Sequence, residues 1–117
     1  MTRTVLIVDD HPAVRSAARR VLEQDGFEVI AERGSGREAL DAAQRLRPGI
    51  VLLDVSLPDV DGIEVARRLA EAREAPAVVL TSSRAPADLG GAVEGCGARG
   101  FIAKEELSGP AIAALAA

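Results

Sequence analysis

The amino-acid sequence predicts an α/β fold: a five-stranded parallel sheet, doubly wound, with helices on both faces. Two observations lead to it. Five short apolar runs recur along the 117 residues, and most are continuous rather than alternating, as strands covered on both faces require. Between them lie segments whose apolar residues repeat with helical period, so strand and helix alternate and the crossovers are right-handed.

The runs are VLIV (5–8), EVIA (28–31), IVLLDV (50–55), AVVL (77–80) and GFIA (100–103). After the first, Val14, Ala17, Ala18, Val21 and Leu22 share one helical stripe, with Pro12 suited to the first turn and Gly26 to the stop. The second helix opens at Ser35 with Glu38 three residues on, the pattern of a capping box, and Pro48-Gly49 ends it. Ile63, Ala66, Leu69 and Ala70 form the third stripe. Leu89, Ala92, Val93 and Cys96 form the fourth, weakened by Gly90 and Gly91, each worth about 1 kcal/mol against Ala. Ser108 and Pro110 start a fifth, Ala-rich helix that runs to the chain end. No linker or repeat interrupts the pattern, so residues 1–117 read as one domain.

Composition narrows the function. A net charge of −4 argues against direct nucleic-acid binding by this domain, which wants a basic face. Cys96 is the only cysteine, which excludes an internal disulfide and a cysteine-rich metal site. Phe27 and Phe101 are the only aromatics, too few for a base- or sugar-stacking platform. The first apolar run is too short for a signal peptide, and none approaches the roughly 20 residues of a membrane span, so the expected location is the cytoplasm.

In open α/β sheets ligands bind at the carboxyl ends of the strands. There the sequence places Asp9 and Asp10 after the first run, Asp54 in the third, Thr81-Ser82-Ser83 after the fourth and Lys104 after the fifth. If the first and third strands are neighbours, the three carboxylates converge, and with Lys104 they leave a formal charge of −2 that one divalent cation neutralises. Oxygen ligands with water suit Mg²⁺ or Mn²⁺, and no His or thiolate set suggests zinc. An aspartate beside such a cation can attack phosphorus and form an aspartyl phosphate, while a lysine and a hydroxyl pair with the phosphoryl oxygens. Asp54, Lys104 and Thr81 suit those roles. The bare Asp9–Asp10 doublet should weaken the metal-free fold, so replacing either acid with Asn or Ala would stabilise it.

VLIVDDHPAVR, LLDVSLPDVDG, VVLTSSR and GARGFIAKEEL occur in this order, and together they resemble the receiver domain of bacterial response regulators over essentially the whole chain. The resemblance implies a flavodoxin-like sheet of order 2-1-3-4-5 with five helices. It implies Asp54 as phosphoacceptor, Asp9, Asp10 and the Ser56 carbonyl as further Mg²⁺ ligands, Lys104 as the family's site lysine and Phe101 as the switch aromatic. Pro58 and Gly62 match the turn after the phosphorylated residue. The implied partners are a sensor histidine kinase or phosphotransfer protein and a downstream output protein or domain, with a homodimer left open. Such a domain is no enzyme beyond its own phosphorylation and dephosphorylation, and it signals through the face made by its fourth helix, fifth strand and fifth helix.

Two features depart from the usual pattern. Glu105 stands where proline often follows the lysine, so the Lys104–Glu105 bond is predicted trans; this variant resembles the branch joined to helix-turn-helix DNA-binding outputs. Counting forward from Pro76 makes Thr81 the switch hydroxyl, whereas counting back from Phe101 makes it Ser82; Thr81 is preferred, with Ser82 the alternative. The spacing implies an extra residue and a loosely formed fourth helix. His11 reads as a helix-start residue at the mouth of the site, Cys96 as core, and Gly34-Ser35-Gly36 as a cap rather than a dinucleotide loop. The competing functions are a pseudo-receiver that binds protein without phosphorylation and an aspartate-nucleophile phosphatase. The second spaces its acids one residue apart on one strand, unlike Asp10 and Asp54.

Overall fold

A computed structural model describes residues 3–82 and 95–116. The five apolar runs become strands β1 (Thr4–Val8), β2 (Glu28–Arg33), β3 (Ile50–Asp54), β4 (Ala77–Ser82) and β5 (Gly100–Ala103). All pair in parallel, in the order β2-β1-β3-β4-β5. Strands β3 and β4 are buried at every residue, which is why their sequences read as unbroken apolar runs.

Side chains alternate across the sheet and build two cores. Leu6, Val8, Val51, Leu53, Val78 and Leu80 pack under α2 (Gly36–Leu46) and α3 (Gly62–Ala70). Val5, Ile7, Ile50, Leu52, Val79 and Ile102 pack under α1 (Pro12–Gln24) and α4 (Gly109–Ala116).

The helix boundaries follow local chemistry. Pro12 opens α1, and Gly26 at φ +90° turns the chain back toward β2. Ser35 caps α2 by accepting from the Glu38 amide, but the reciprocal half of the box is absent: the Ser35 hydroxyl donates to the Glu38 carboxylate instead. The chain leaves α2 through Arg47 at φ 48°, a left-handed residue ahead of Pro48. Asp61 caps α3 through the Ile63 amide. Ser108 and Asp25 cap α4, accepting from Ala111 and Gly109.

Among the described residues there are four α-helices rather than five, and α4 is the helix the sequence predicts as the fifth. The predicted fourth, with Leu89, Gly90, Gly91, Ala92 and Val93, lies outside the described residues, as does Ser83. Cys96 is buried as expected, in a bend just before Gly97 at φ +89°; the other residues of its expected stripe lie outside the described residues.

One glycine positions the site. The Gly62 amide donates to the Val55 carbonyl at 3.0 Å, and a Cβ at Gly62 would collide with the Asp54 carbonyl oxygen and the Val55 backbone. The start of α3 therefore presses on the backbone leaving β3. Gly62→Ala should lose about 1–3 kcal/mol of stability in urea unfolding, as overpacking does. A methyl group added at Gly95 would meet nothing within 4 Å, so alanine should be tolerated there in the same measurement.

Candidate functional site

The strand registers level the polar residues at one edge. Val8 pairs with Leu53, so Asp9 emerges from β1 beside Asp54 at the end of β3. Asp54 pairs with Thr81, and Thr81 with Ile102, two residues before Lys104. Because paired residues in neighbouring strands share a face, Thr81 lies on the Asp54 side of the sheet. Ser82 lies on the opposite side, with Leu80 and Phe101. Both hydroxyl residues are buried.

Asp9 and Asp54 are 3% and 2% exposed, and Lys104 joins them. Its Nζ lies 2.8 Å from Asp9 Oδ2 and 3.2 Å from Asp54 Oδ2, the latter a contact between residues 50 apart in sequence. The other oxygens have other partners. Asp54 Oδ1 accepts from the Ser56 amide at 3.0 Å. Asp9 Oδ1 accepts from the His11 amide at 2.9 Å and lies 3.1 Å from His11 Nδ1. Asp10 is exposed, and its Oδ1 is 2.9 Å from the same Nδ1.

Burial is the main influence on Asp54 and raises its pKa; the Ser56 amide and Lys104 pull it down, while the charge of Asp9 adds to the rise. For Lys104 burial opposes the ammonium, yet the hydrogen bond to Asp9 and the charges of Asp54 and Asp9 outweigh it and hold the pKa above the ordinary lysine value.

One ligand atom from each of Asp9, Asp10, His11 and Asp54 lies within 4.8 Å of the others. Three carboxylates so placed form a hard, oxygen-rich donor set that fits a small divalent cation. Ser56 follows Asp54 by two residues, and its amide already closes the turn. Phe101 sits beside Leu80, half-buried against the core under α2 and α3. The Lys104–Glu105 bond is trans, since the described residues contain no cis peptide.

Two contacts lie beyond what the sequence predicts. Asp59, in the loop after β3, accepts from the amides of Gly36 (2.8 Å) and Arg37 (3.0 Å) at the start of α2. These amides, the first of them from Gly36, hold the exposed Asp59 carboxyl below its usual pKa. No local signal marks a contact between residues so far apart in sequence. His11 turns its ring into the carboxylates, which the run Asp-Asp-His at a strand end could have suggested.

The class of protein is thus an α/β domain with a doubly wound parallel sheet that carries three acids and a lysine at its carboxyl edge. The chain belongs to the response regulator receiver domain family, whose model matches residues 5–115. It is 38% identical over 106 residues to BvgA of Bordetella pertussis, described as a virulence-factor transcription regulator, covering 91% of this chain and 51% of that protein. It is 33% identical over 112 residues to the DNA-binding transcriptional activator EvgA of Escherichia coli, covering 96% and 55%. The signal receiver domain of the response regulator NarL from Mycobacterium tuberculosis superimposes with a TM-score of 0.88 at 29% identity, covering 98% of this chain and 96% of that one. The chain spans about half the length of the curated relatives it matches. It is thus a receiver domain of the two-component type, a family in which phosphorylation is typical. No helix among the described residues is long and apolar enough to cross a membrane.

Lys104→Met would leave two carboxylates buried without their cation and should lose on the order of 3 kcal/mol in urea unfolding at neutral pH. Because the folded pKa of Lys104 is raised, its stabilisation is complete below the ordinary lysine value of 10.5 and fades as pH climbs through the folded value. The gap between wild type and variant should therefore narrow in alkali. The structure also separates the aspartate doublet: Asp9 is bonded to Lys104 and His11, whereas Asp10 is a near-surface charge beside His11. In EDTA, Asp10→Asn should raise stability by up to about 1 kcal/mol, and Asp9→Ala should lower it, measured by the same unfolding curves.

Proposed function

We propose that Asp54 is the phosphoacceptor, taking a phosphoryl group from the histidine of a sensor kinase or phosphotransfer protein. The observation that carries this reading is the Lys104 ammonium held at 2.8 and 3.2 Å between Asp9 and Asp54. It is a preplaced cation next to the one carboxylate that ends a central strand.

An Asp54 carboxylate oxygen attacks phosphorus; the new O–P bond forms as the N–P bond to the donor imidazole breaks, and the electron pair leaves with the imidazole. The Ser56 amide holds the attacking group in orientation. When bound, Mg²⁺ or Mn²⁺ held by Asp9, Asp10, Asp54 and the Ser56 carbonyl supplies positive charge against the phosphoryl oxygens. Lys104 transfers its hydrogen bonds from the carboxylates to a phosphoryl oxygen. Thr81, on the Asp54 side of the sheet, is the better-placed hydroxyl for another oxygen, and Ser82 is the alternative. Movement of Thr81 toward the phosphoryl group shifts the end of β4, and Phe101, on the other side of the sheet beside Leu80, turns inward in response. The surface of β5 and α4 then changes its affinity for an output domain or partner, a shift between two populated states.

Residues 1–117 act in this reading as one receiver module in the cytoplasm, with no catalysis beyond its own phosphorylation and dephosphorylation. The output is a DNA-binding domain or a separate protein, supported by the transcriptional regulators among its relatives. Incubation with acetyl phosphate and Mg²⁺ should add the mass of one phosphoryl group, and Asp54→Ala should abolish the gain. An unchanged mass with both acetyl phosphate and a kinase donor would make the chain a pseudo-receiver. Repeated turnover of phosphomonoesters would make it a phosphatase.

A further inference from the structure

We infer that Arg15 is a positioning residue for the cation site: held by Glu32, it fixes the peptide that joins Asp9 to Asp10 and so sets where the two acids present their carboxylates. The inference rests on the reading of Asp9, Asp10 and Asp54 as cation ligands and of Asp54 as phosphoacceptor.

Asp9 is the first residue past β1, and both of its main-chain polar groups are held. Its amide donates to the Arg33 carbonyl at 3.0 Å, one more rung of the ladder between β1 and β2. A further rung would bring an amide of β2 to the Asp9 carbonyl, but β2 ends at Arg33. Arg15 takes that place, its Nη1 donating to the Asp9 carbonyl at 2.6 Å. The same oxygen belongs to the planar unit that carries the Asp10 amide. With the planes on both sides of the Asp9 Cα held, the Asp9 side chain leaves the backbone in one direction, and the start of Asp10 is set as well. The guanidinium is itself anchored. Its Nε lies 3.4 Å from Glu32 Oε1, and both side chains of the pair are largely buried. A planar fork with one nitrogen on a carboxylate and another on a main-chain oxygen has little freedom left. Arg19 supplies the contrast. It pairs with the other oxygen of Glu32, and its further bonds go to Glu23 and the Val29 carbonyl. β2 carries none of the predicted site residues, yet through Glu32 and Arg15 it steadies the aspartate doublet.

The test compares variants of the whole chain. Arg15→Met removes the bond to Asp9 together with an ion pair to Glu32, whereas Arg19→Met removes an ion pair to the same Glu32 and leaves Asp9 held. Mn²⁺ affinity, read from the EPR signal of the free ion, should fall about tenfold in Arg15→Met and by less than about twofold in Arg19→Met, the scale on which partners of metal ligands act. Phosphorylation by acetyl phosphate, followed by intact mass, should need about tenfold more Mg²⁺ for half its maximal rate in Arg15→Met, with the rate at saturating Mg²⁺ within about twofold of wild type. Arg15→Lys, which keeps the charge without the fork, should recover part of the loss, and Glu32→Gln should shift both readouts in the same direction by a smaller factor. Circular dichroism checks folding, and these two variants carry the test if Arg15→Met does not fold. Equal Mn²⁺ affinity and equal Mg²⁺ half-saturation in wild type and in every folded Arg15 and Glu32 variant would overturn the inference and leave the carboxylate site standing. Wild-type Mn²⁺ binding no tighter than that of Asp54→Ala would overturn the cation reading itself, and the role of Arg15 with it.

Discussion

The ammonium of Lys104 between the carboxylates of Asp9 and Asp54 is the contact around which the rest is arranged. It joins the ends of β1, β3 and β5, which are not all neighbours, across the carboxyl edge of the sheet. Two buried carboxylates without a cation would repel each other and lack solvation. With the ammonium they become a partly neutralised pair whose remaining oxygens are free to take other partners. That division of oxygens orders the site: Asp9 Oδ2 belongs to Lys104 and Oδ1 to His11.

The sheet order makes this contact available. With β1 beside β3, and β4 between β3 and β5, the acids sit centrally and the lysine reaches inward over Thr81 from the edge strand. The backbone around Asp54 is held from two directions. Gly62 brings the start of α3 against Val55, and Asp59 ties the intervening loop to the amides of α2. The loop after Asp54 is thus anchored to α2 and to the start of α3.

Much of this was legible along the chain because it rests on local rules. Continuous apolar runs mark strands buried on both faces, and Pro12, Ser35 and Ser108 mark helix starts that the structure keeps. The residue set at the carboxyl edge was legible for the same reason, since a strand end is a position in sequence. The exceptions have physical causes. Arg47 takes a left-handed conformation that glycine would ordinarily mark, and Asp59 reaches the amides of α2 from a loop more than 20 residues away in sequence.

By itself the sequence determined which residues reach the carboxyl edge, since strand ends and helix caps depend on neighbours within a few positions. Tertiary structure decided what those residues do to one another. Register put Thr81 rather than Ser82 on the Asp54 side, a matter of alternation that a one-residue slip would reverse. It separated a bonded Asp9 from a near-surface Asp10, two residues that look alike in sequence, because only one of them faces Lys104. It also turned His11 from its helix into the carboxylates. Those distinctions depend on distances between strands, and no spacing within a single segment encodes them.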